Sequence, residues 1–117
     1  MSSKELRSFK NAIKGLRVFF STQPHARFHA MAGIHVIAAG FLFHLKRTEW
    51  GLILVSIGLV IVAEAANTAI EFLTDLVSPD FNEQAGKVKD IAAGAVLAAS
   101  IIAAIIGLVV FLPKIFF

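Results

Sequence analysis

The 117-residue chain contains no cysteine and no tyrosine, and only one tryptophan and three prolines. Without cysteine, neither a disulfide framework nor a thiolate metal site can form. Charge is scarce too: 16% of residues are charged and 57% are hydrophobic, against about a quarter and about half in ordinary soluble domains. Neither G-x-x-x-x-G-K-[ST] nor G-x-G-x-x-G occurs, so the familiar soluble nucleotide-binding loops are absent. No serine–histidine–acid pattern points to a hydrolase. The net charge of +3 is modest and does not suggest a nucleic-acid partner. The first 27 residues have no apolar core with a small-residue cleavage site, so no secretory signal is read there. No internal repeat or low-complexity tract divides the chain, which reads as one domain over residues 1–117.

What is present is long apolar stretches. Residues 91–112 carry no charge at all. As a helix they rise about 33 Å, enough for a hydrocarbon core of about 30 Å. Residues 50–63 are equally apolar, and the helical pattern runs on to Leu76. Residues 28–45 form a third, less hydrophobic stretch that holds His29, His35 and His44. Ahead of them, residues 3–20 repeat Leu6, Phe9, Ile13, Leu16 and Phe20 at helical spacing. Lys4, Arg7, Lys10, Lys14 and Arg17 form the other side, the pattern of a helix lying in a membrane interface. Thr22-Gln23-Pro24 ends that helix, because proline disfavours helical geometry in the residue before it.

The expected fold is therefore an all-α membrane protein. It has an amphipathic helix over 3–20 and transmembrane helices over about 28–45, 50–76 and 87–112. Connections fall at Lys46–Glu49 and Val77–Gly86, with a tail from Pro113. Eight lysines and arginines precede the first span or lie between the second and third, and three lie on the other side. The positive-inside bias places the N-terminus and the second connection in the cytoplasm.

Chemistry concentrates in Glu64-x-x-Asn67-Thr68-x-x-Glu71-x-x-x-Asp75. At about 100° per residue, Glu71, Asp75, Asn67 and Thr68 fall within about 60° of Glu64, on one stripe of an otherwise apolar helix. Carboxylates cannot face lipid without solvation, a partner or a ligand. A second polar set, Glu83, Lys87, Lys89 and Asp90, opens the third span. Six acids (Glu64, Glu71, Asp75, Asp80, Glu83, Asp90) face only Lys87 and Lys89 there, which leaves negative charge for a divalent cation. Hard oxygens suit Mg²⁺, which completes its shell with water and substrate phosphates. His29 and His35 fall nearly on opposite helix faces and read as interfacial or packing residues.

Glu64-x-x-Asn67-Thr68-Ala69-Ile70-Glu71-x-x-x-Asp75, followed by Lys89-Asp90-Ile91-Ala92-Ala93-Gly94-Ala95-Val96, resembles the signature of the prokaryotic diacylglycerol kinase family. That family also includes the undecaprenol kinases of Gram-positive bacteria. The likeness runs from Phe9 to Pro113 and takes in Lys14-Gly15-Leu16-Arg17 and Thr48-Glu49-Trp50. It implies a homotrimer in the bacterial cytoplasmic (inner) membrane, with active sites formed between protomers at the cytoplasmic edge. It also implies transfer of phosphate from MgATP to the hydroxyl of a lipid alcohol. By the same likeness Glu64 is the general base, with Asn67 and Asp75 as polar positions of the site. Lys14, Glu71, Asp80, Asn82, Lys89 and Asp90 are its ATP contacts, and Glu71 its metal ligand. Gln23 stands where the family usually has a metal-binding glutamate, and Phe81-Asn82 stands where it tends to have tyrosine-histidine.

The start of the second span, His29 and the Ala-Ala-Gly-Ala-Val run are more similar to undecaprenol kinases than to proteobacterial diacylglycerol kinases. Two other classes remain open on the residues. A cation-coupled transporter could use Glu64 and Glu71 as coupling sites. A non-catalytic relative of the kinases could serve as an interaction subunit.

Overall fold

The computed structural model describes residues 1–117 as four helices: α1 (Ser3–Thr22), α2 (Pro24–Leu42), α3 (Arg47–Val77) and α4 (Glu83–Phe116). α1 begins in a capping box. Ser2 Oγ accepts from the Glu5 backbone N–H at 3.1 Å, and the Glu5 carboxylate accepts from the Ser2 backbone N–H at 2.7 Å. At its far end the Arg27 guanidinium donates to the carbonyls of Phe20 and Ser21, at 2.8 and 3.1 Å. Those carbonyls have no partner inside the helix. Gln23 is extended between the two helices, and Pro24 opens α2, where its missing N–H is not needed. The expected break between α1 and α2 is found there.

α2 stops earlier than the stretch 28–45 implied. His44 adopts a left-handed backbone (φ 54°), the Leu45 N–H reaches back to the Gly40 carbonyl at 3.1 Å, and the His44 N–H to that of Phe41 at 3.4 Å. This is a Schellman ending, which satisfies the last carbonyls and folds Leu45 over Gly40. His44 thus sits in a turn rather than in a span. α3 begins at Arg47, inside the connection expected at Lys46–Glu49. The Glu49 carboxylate accepts from the Lys46 backbone N–H at 2.8 Å and so caps the first turn.

The connection between α3 and α4 is likewise shorter than Val77–Gly86. Asn82 Oδ1 accepts from the N–H groups of Gln84 and Ala85, which starts α4 at Glu83. The tail expected from Pro113 is instead helical to Phe116. Proline's fixed φ suits a helix, so the loss there is one backbone hydrogen bond. Lys114, one residue on, pairs with Glu49 at 3.0 Å and ties the end of α4 to the start of α3.

Only 14 of 117 residues are buried, and Ile53, Val110 and Leu45 form the small core where the α2–α3 turn meets α4. The molecule is a slab of 54 × 43 × 20 Å, about two helix diameters thick. Val55, Val62, Ile91 and Val109 are among many large apolar side chains left at least two-thirds exposed. A water-soluble fold hides such surface, whereas a bilayer accepts it and demands only that backbone polar groups be satisfied within helices. α3 and α4 are long and apolar enough to cross a membrane; α2, with 19 residues, does not meet the same measure. On α1 the apolar stripe Leu6, Phe9, Ile13 and Leu16 is uncovered by the rest of the chain, and Phe19 is its only buried residue.

Gly40 is the tightest point of the fold. A Cβ there would lie 2.5 Å from Trp50 Cη2 and 3.0 Å from Leu45 Cδ1. Gly40→Ala should therefore cost about 1–3 kcal/mol of overpacking, read by denaturant unfolding in detergent micelles. An unchanged midpoint would show that Trp50 and Leu45 have room to move.

Candidate active site

The acidic stripe of α3 is broken into three pairings at different depths. Deepest is Glu64, 7% exposed, whose carboxylate Oε1 lies 3.1 Å from His29 Nε2 on α2. Thr68 shares its face but does not reach outward: its hydroxyl donates to the Glu64 carbonyl at 2.9 Å, within the helix. One turn on, the Asn67 side-chain amide donates to Glu71 Oε1 at 3.1 Å. The Asn67 Oδ1 is buried and has no partner. At the end of α3, Asp75 Oδ1 accepts from Lys89 of α4 at 2.6 Å, in the open.

Depth follows from helix rise. Glu64 and Glu71 are about 10 Å apart along α3, at about 1.5 Å per residue. Glu64 lies in the apolar part of the span and Asp75 at the polar end, with the half-buried Glu71 between them. The stripe therefore grades from a buried, singly partnered carboxylate to a solvated ion pair. Lys89 is the lysine that neutralises the stripe; Lys87 is exposed and makes no ion pair.

The other candidate residues are not gathered onto the stripe by one chain. Lys14 lies with Thr68 along a groove of about 550 Å³ between α1 and α3, bounded also by Phe19, Ala65 and Phe72. Gln23 Nε2 donates to Thr22 Oγ1 at 3.3 Å, in the joint between α1 and α2. The Asn82 carbonyl oxygen is committed to capping α4, which leaves its amide free. Asp80 and Asp90 are exposed and form no ion pair. A second cavity, about 260 Å³, lies between α2, α3 and α4 and is lined by His29, Gly33, Ser56, Val60, Ser100 and Phe111.

No three histidine or acidic side chains converge as a ready-made metal set. What the stripe offers is one half-buried carboxylate, Glu71, beside an unpartnered amide oxygen, Asn67 Oδ1. That donor set is too small to cage an ion but fits a Mg²⁺ arriving on phosphates, since this ion keeps waters and takes only one or two carboxylates.

The acids share the stripe that helical spacing predicts, whereas His29, read from spacing as an interfacial or packing residue, is the partner of Glu64. The miss has a plain cause. Helical spacing relates residues along one helix, and the partner of Glu64 comes from another.

The pair Asp75–Lys89 is the contact that draws the polar ends of α3 and α4 together. Because the chain has no cysteine, Leu76→Cys and Val88→Cys can carry spin labels without background. Lys89→Met should lengthen and broaden the interlabel distance distribution; an unchanged distribution would assign the closure to apolar packing alone.

Comparison with known proteins places these features in a family. The family described as "Prokaryotic diacylglycerol kinase" matches residues 10–111. The chain is 41% identical over 108 residues to the undecaprenol kinase of Bacillus subtilis (strain 168), covering 92% of this chain and 88% of that one. It is 40% identical over 107 residues to a diacylglycerol kinase of Synechocystis, spanning 91% of this chain and 61% of that longer relative. With the diacylglycerol kinase of Escherichia coli (strain K12) it shares 29% identity over 92 residues, 79% of this chain and 75% of the relative.

Proposed function

The chain belongs to the prokaryotic diacylglycerol kinase family, and from that premise we propose that it transfers the γ-phosphate of MgATP to the hydroxyl of a membrane lipid alcohol, with undecaprenol favoured over diacylglycerol. It is a membrane lipid kinase, as its relatives' names imply. The observation that carries the mechanism is the graded stripe: a buried carboxylate, Glu64, about 10 Å of helix below a half-buried one, Glu71. A lipid hydroxyl resides in the apolar layer and a nucleotide at its edge. Two carboxylates at those two depths can serve the two substrates separately.

In this reading Glu71, with Asn67 Oδ1 beside it, would hold a Mg²⁺ that enters on the nucleotide and would supply neutralisation of phosphate charge. Lys89, Lys14, Asp80, Asn82 and Asp90 complete the nucleotide contacts. The lipid hydroxyl gives its proton to Glu64 as its oxygen bonds to the γ-phosphorus, and the bond to the β,γ-bridging oxygen breaks with ADP as leaving group. Such transfer depends on positioning and charge neutralisation. Asp75 holds Lys89 at the mouth of the site. Gln23 offers Mg²⁺ a neutral carbonyl in place of a carboxylate, so the metal relies mainly on Glu71.

The architecture proposed with this function has three spans, α2 being the third, and α1 lying in the interface with its uncovered apolar stripe on lipid. The N-terminus, the α3–α4 turn and the active site face the cytoplasm in the bacterial inner membrane, following the charge bias. The whole chain acts as one domain within a homotrimer. The placing of Gln23, Asp80 and Asp90 away from the stripe is what an active site completed by neighbouring copies leaves in a single chain. The preference for undecaprenol draws on the Bacillus subtilis relative, which matches over 92% of this chain.

The test is phosphate transfer from labelled ATP by purified protein in mixed micelles, with undecaprenol and diacylglycerol side by side. Transfer should favour undecaprenol and fall at least about a hundredfold in Glu64→Gln, the scale of a lost general base. Equal turnover in that variant contradicts the base assignment. No transfer to either lipid with excess Mg²⁺ contradicts the kinase reading.

A further inference from the structure

A carboxylate inside an apolar span needs a partner or a water, and Glu64 has one protein partner, His29. The two come from different helices. His29 is about one and a half turns into α2, and Glu64 is near the middle of α3, so their meeting depends on how α2 leans on α3. That lean is set close by: Gly33, one turn beyond His29, is buried, and a Cβ there would lie 3.1 Å from Ile57 Cγ2 of α3. Imidazole Nε2 lies 3.1 Å from one carboxylate oxygen, Oε1, as an ion-pair contact, and the other oxygen has no such contact. His29 also lines the cavity between α2, α3 and α4, with its side chain 25% exposed while that of Glu64 is 9% exposed.

We propose that His29 is a positioning residue for the phosphoryl transfer: the ring holds Oε1 of Glu64 and so turns Oε2 toward the acceptor hydroxyl. The inference rests on the kinase reading above. A free carboxylate rotates about its last torsion and presents either oxygen; one held by a ring from a second helix presents only one. With a ring proton on Nε2 facing Oε1, the second oxygen is the one left to receive the lipid proton. The same contact lowers the cost of an ionised carboxylate at this depth, because a donor substitutes for the water the span excludes. In this role His29 acts on the reaction by way of the carboxylate it faces. Its influence is through Glu64 alone.

The position separates this role from packing. A packing residue contributes volume, and an isosteric apolar side chain replaces it. A positioning donor contributes an N–H at one point, and only another donor replaces it. His29→Ala, His29→Phe and His29→Gln divide the two, because glutamine keeps an N–H donor near the same reach and phenylalanine keeps the ring.

Phosphate transfer is measured for the full-length wild type and the three variants, with thermal stability in the same micelles. His29→Ala and His29→Phe should lower kcat about 10–100-fold, the range of a lost supporting contact, with KM for ATP within about twofold since the nucleotide end is untouched. His29→Gln should recover a large part of that loss. Retention of kcat within about twofold in His29→Ala, or losses that track thermal stability with no recovery in His29→Gln, would overturn the assignment. A second readout stands apart from turnover: ¹⁵N spectra of the histidine rings. Glu64→Gln should shift the His29 ring signals and leave those of exposed His25 and His44 in place; an unmoved His29 signal overturns the contact itself. If the wild type transfers phosphate to no lipid while the His29 signal shifts as expected, the kinase reading fails, the positioning role falls with it and the pair is structural.

Discussion

A carboxylate placed where water is scarce dominates this molecule. Glu64 sits inside an apolar helix, and a charge there costs several kcal/mol unless it is partnered. The contact with His29 meets that demand, and it commits α2 to a fixed contact with α3. From there the other arrangements follow. A Cβ at Gly33 would press on Ile57 of α3, and one at Gly40 would collide with Trp50 where Leu45 and Trp50 close the far end. The Glu49–Lys114 pair ties α4 to the same end of α3. At the opposite end Asp75 and Lys89 hold the polar mouth in solvent. Ion pairs thus bracket α3 and α4 at both ends, with small and apolar contacts between.

Much of this was legible in the sequence. The helical run through residues 50–76, the break at Gln23-Pro24 and the one-sided placement of Glu64, Asn67, Glu71 and Asp75 follow from spacing along a single helix. Errors gathered where local chemistry overrides hydrophobicity. Asn82 starts α4 about two turns before the apolar run because a capping side chain acts on backbone N–H groups. His44 is as compatible with a helix as with a turn by composition, and only the Schellman geometry with Gly40 and Leu45 decides. Pro113 reads as a stop, yet the helix passes through it where Lys114 finds Glu49. His29 was missed for the related reason that pairing across helices leaves no period in either helix.

The single chain leaves one buried acceptor on the stripe unmatched. Few residues are buried and no metal set converges, yet Asn67 Oδ1 is buried without a partner beside a half-buried Glu71. An orphaned acceptor in an apolar helix is costly. It is tolerated where a ligand or its hydration shell supplies the missing contact. The charge-poor composition has the same logic. The acids of α3 lie on one stripe, and much of the remaining surface is apolar.

In the proposed mechanism labour divides along that stripe, with Glu71 serving the nucleotide end and Glu64 the lipid end. The most direct test of that division is equilibrium binding of a non-hydrolysable MgATP analogue to Glu64→Gln and Glu71→Gln beside the wild type. Glu64→Gln should keep wild-type affinity and Glu71→Gln should lose at least about tenfold, about 1.4 kcal/mol. Equal losses in both, or loss in Glu64→Gln alone, would contradict it.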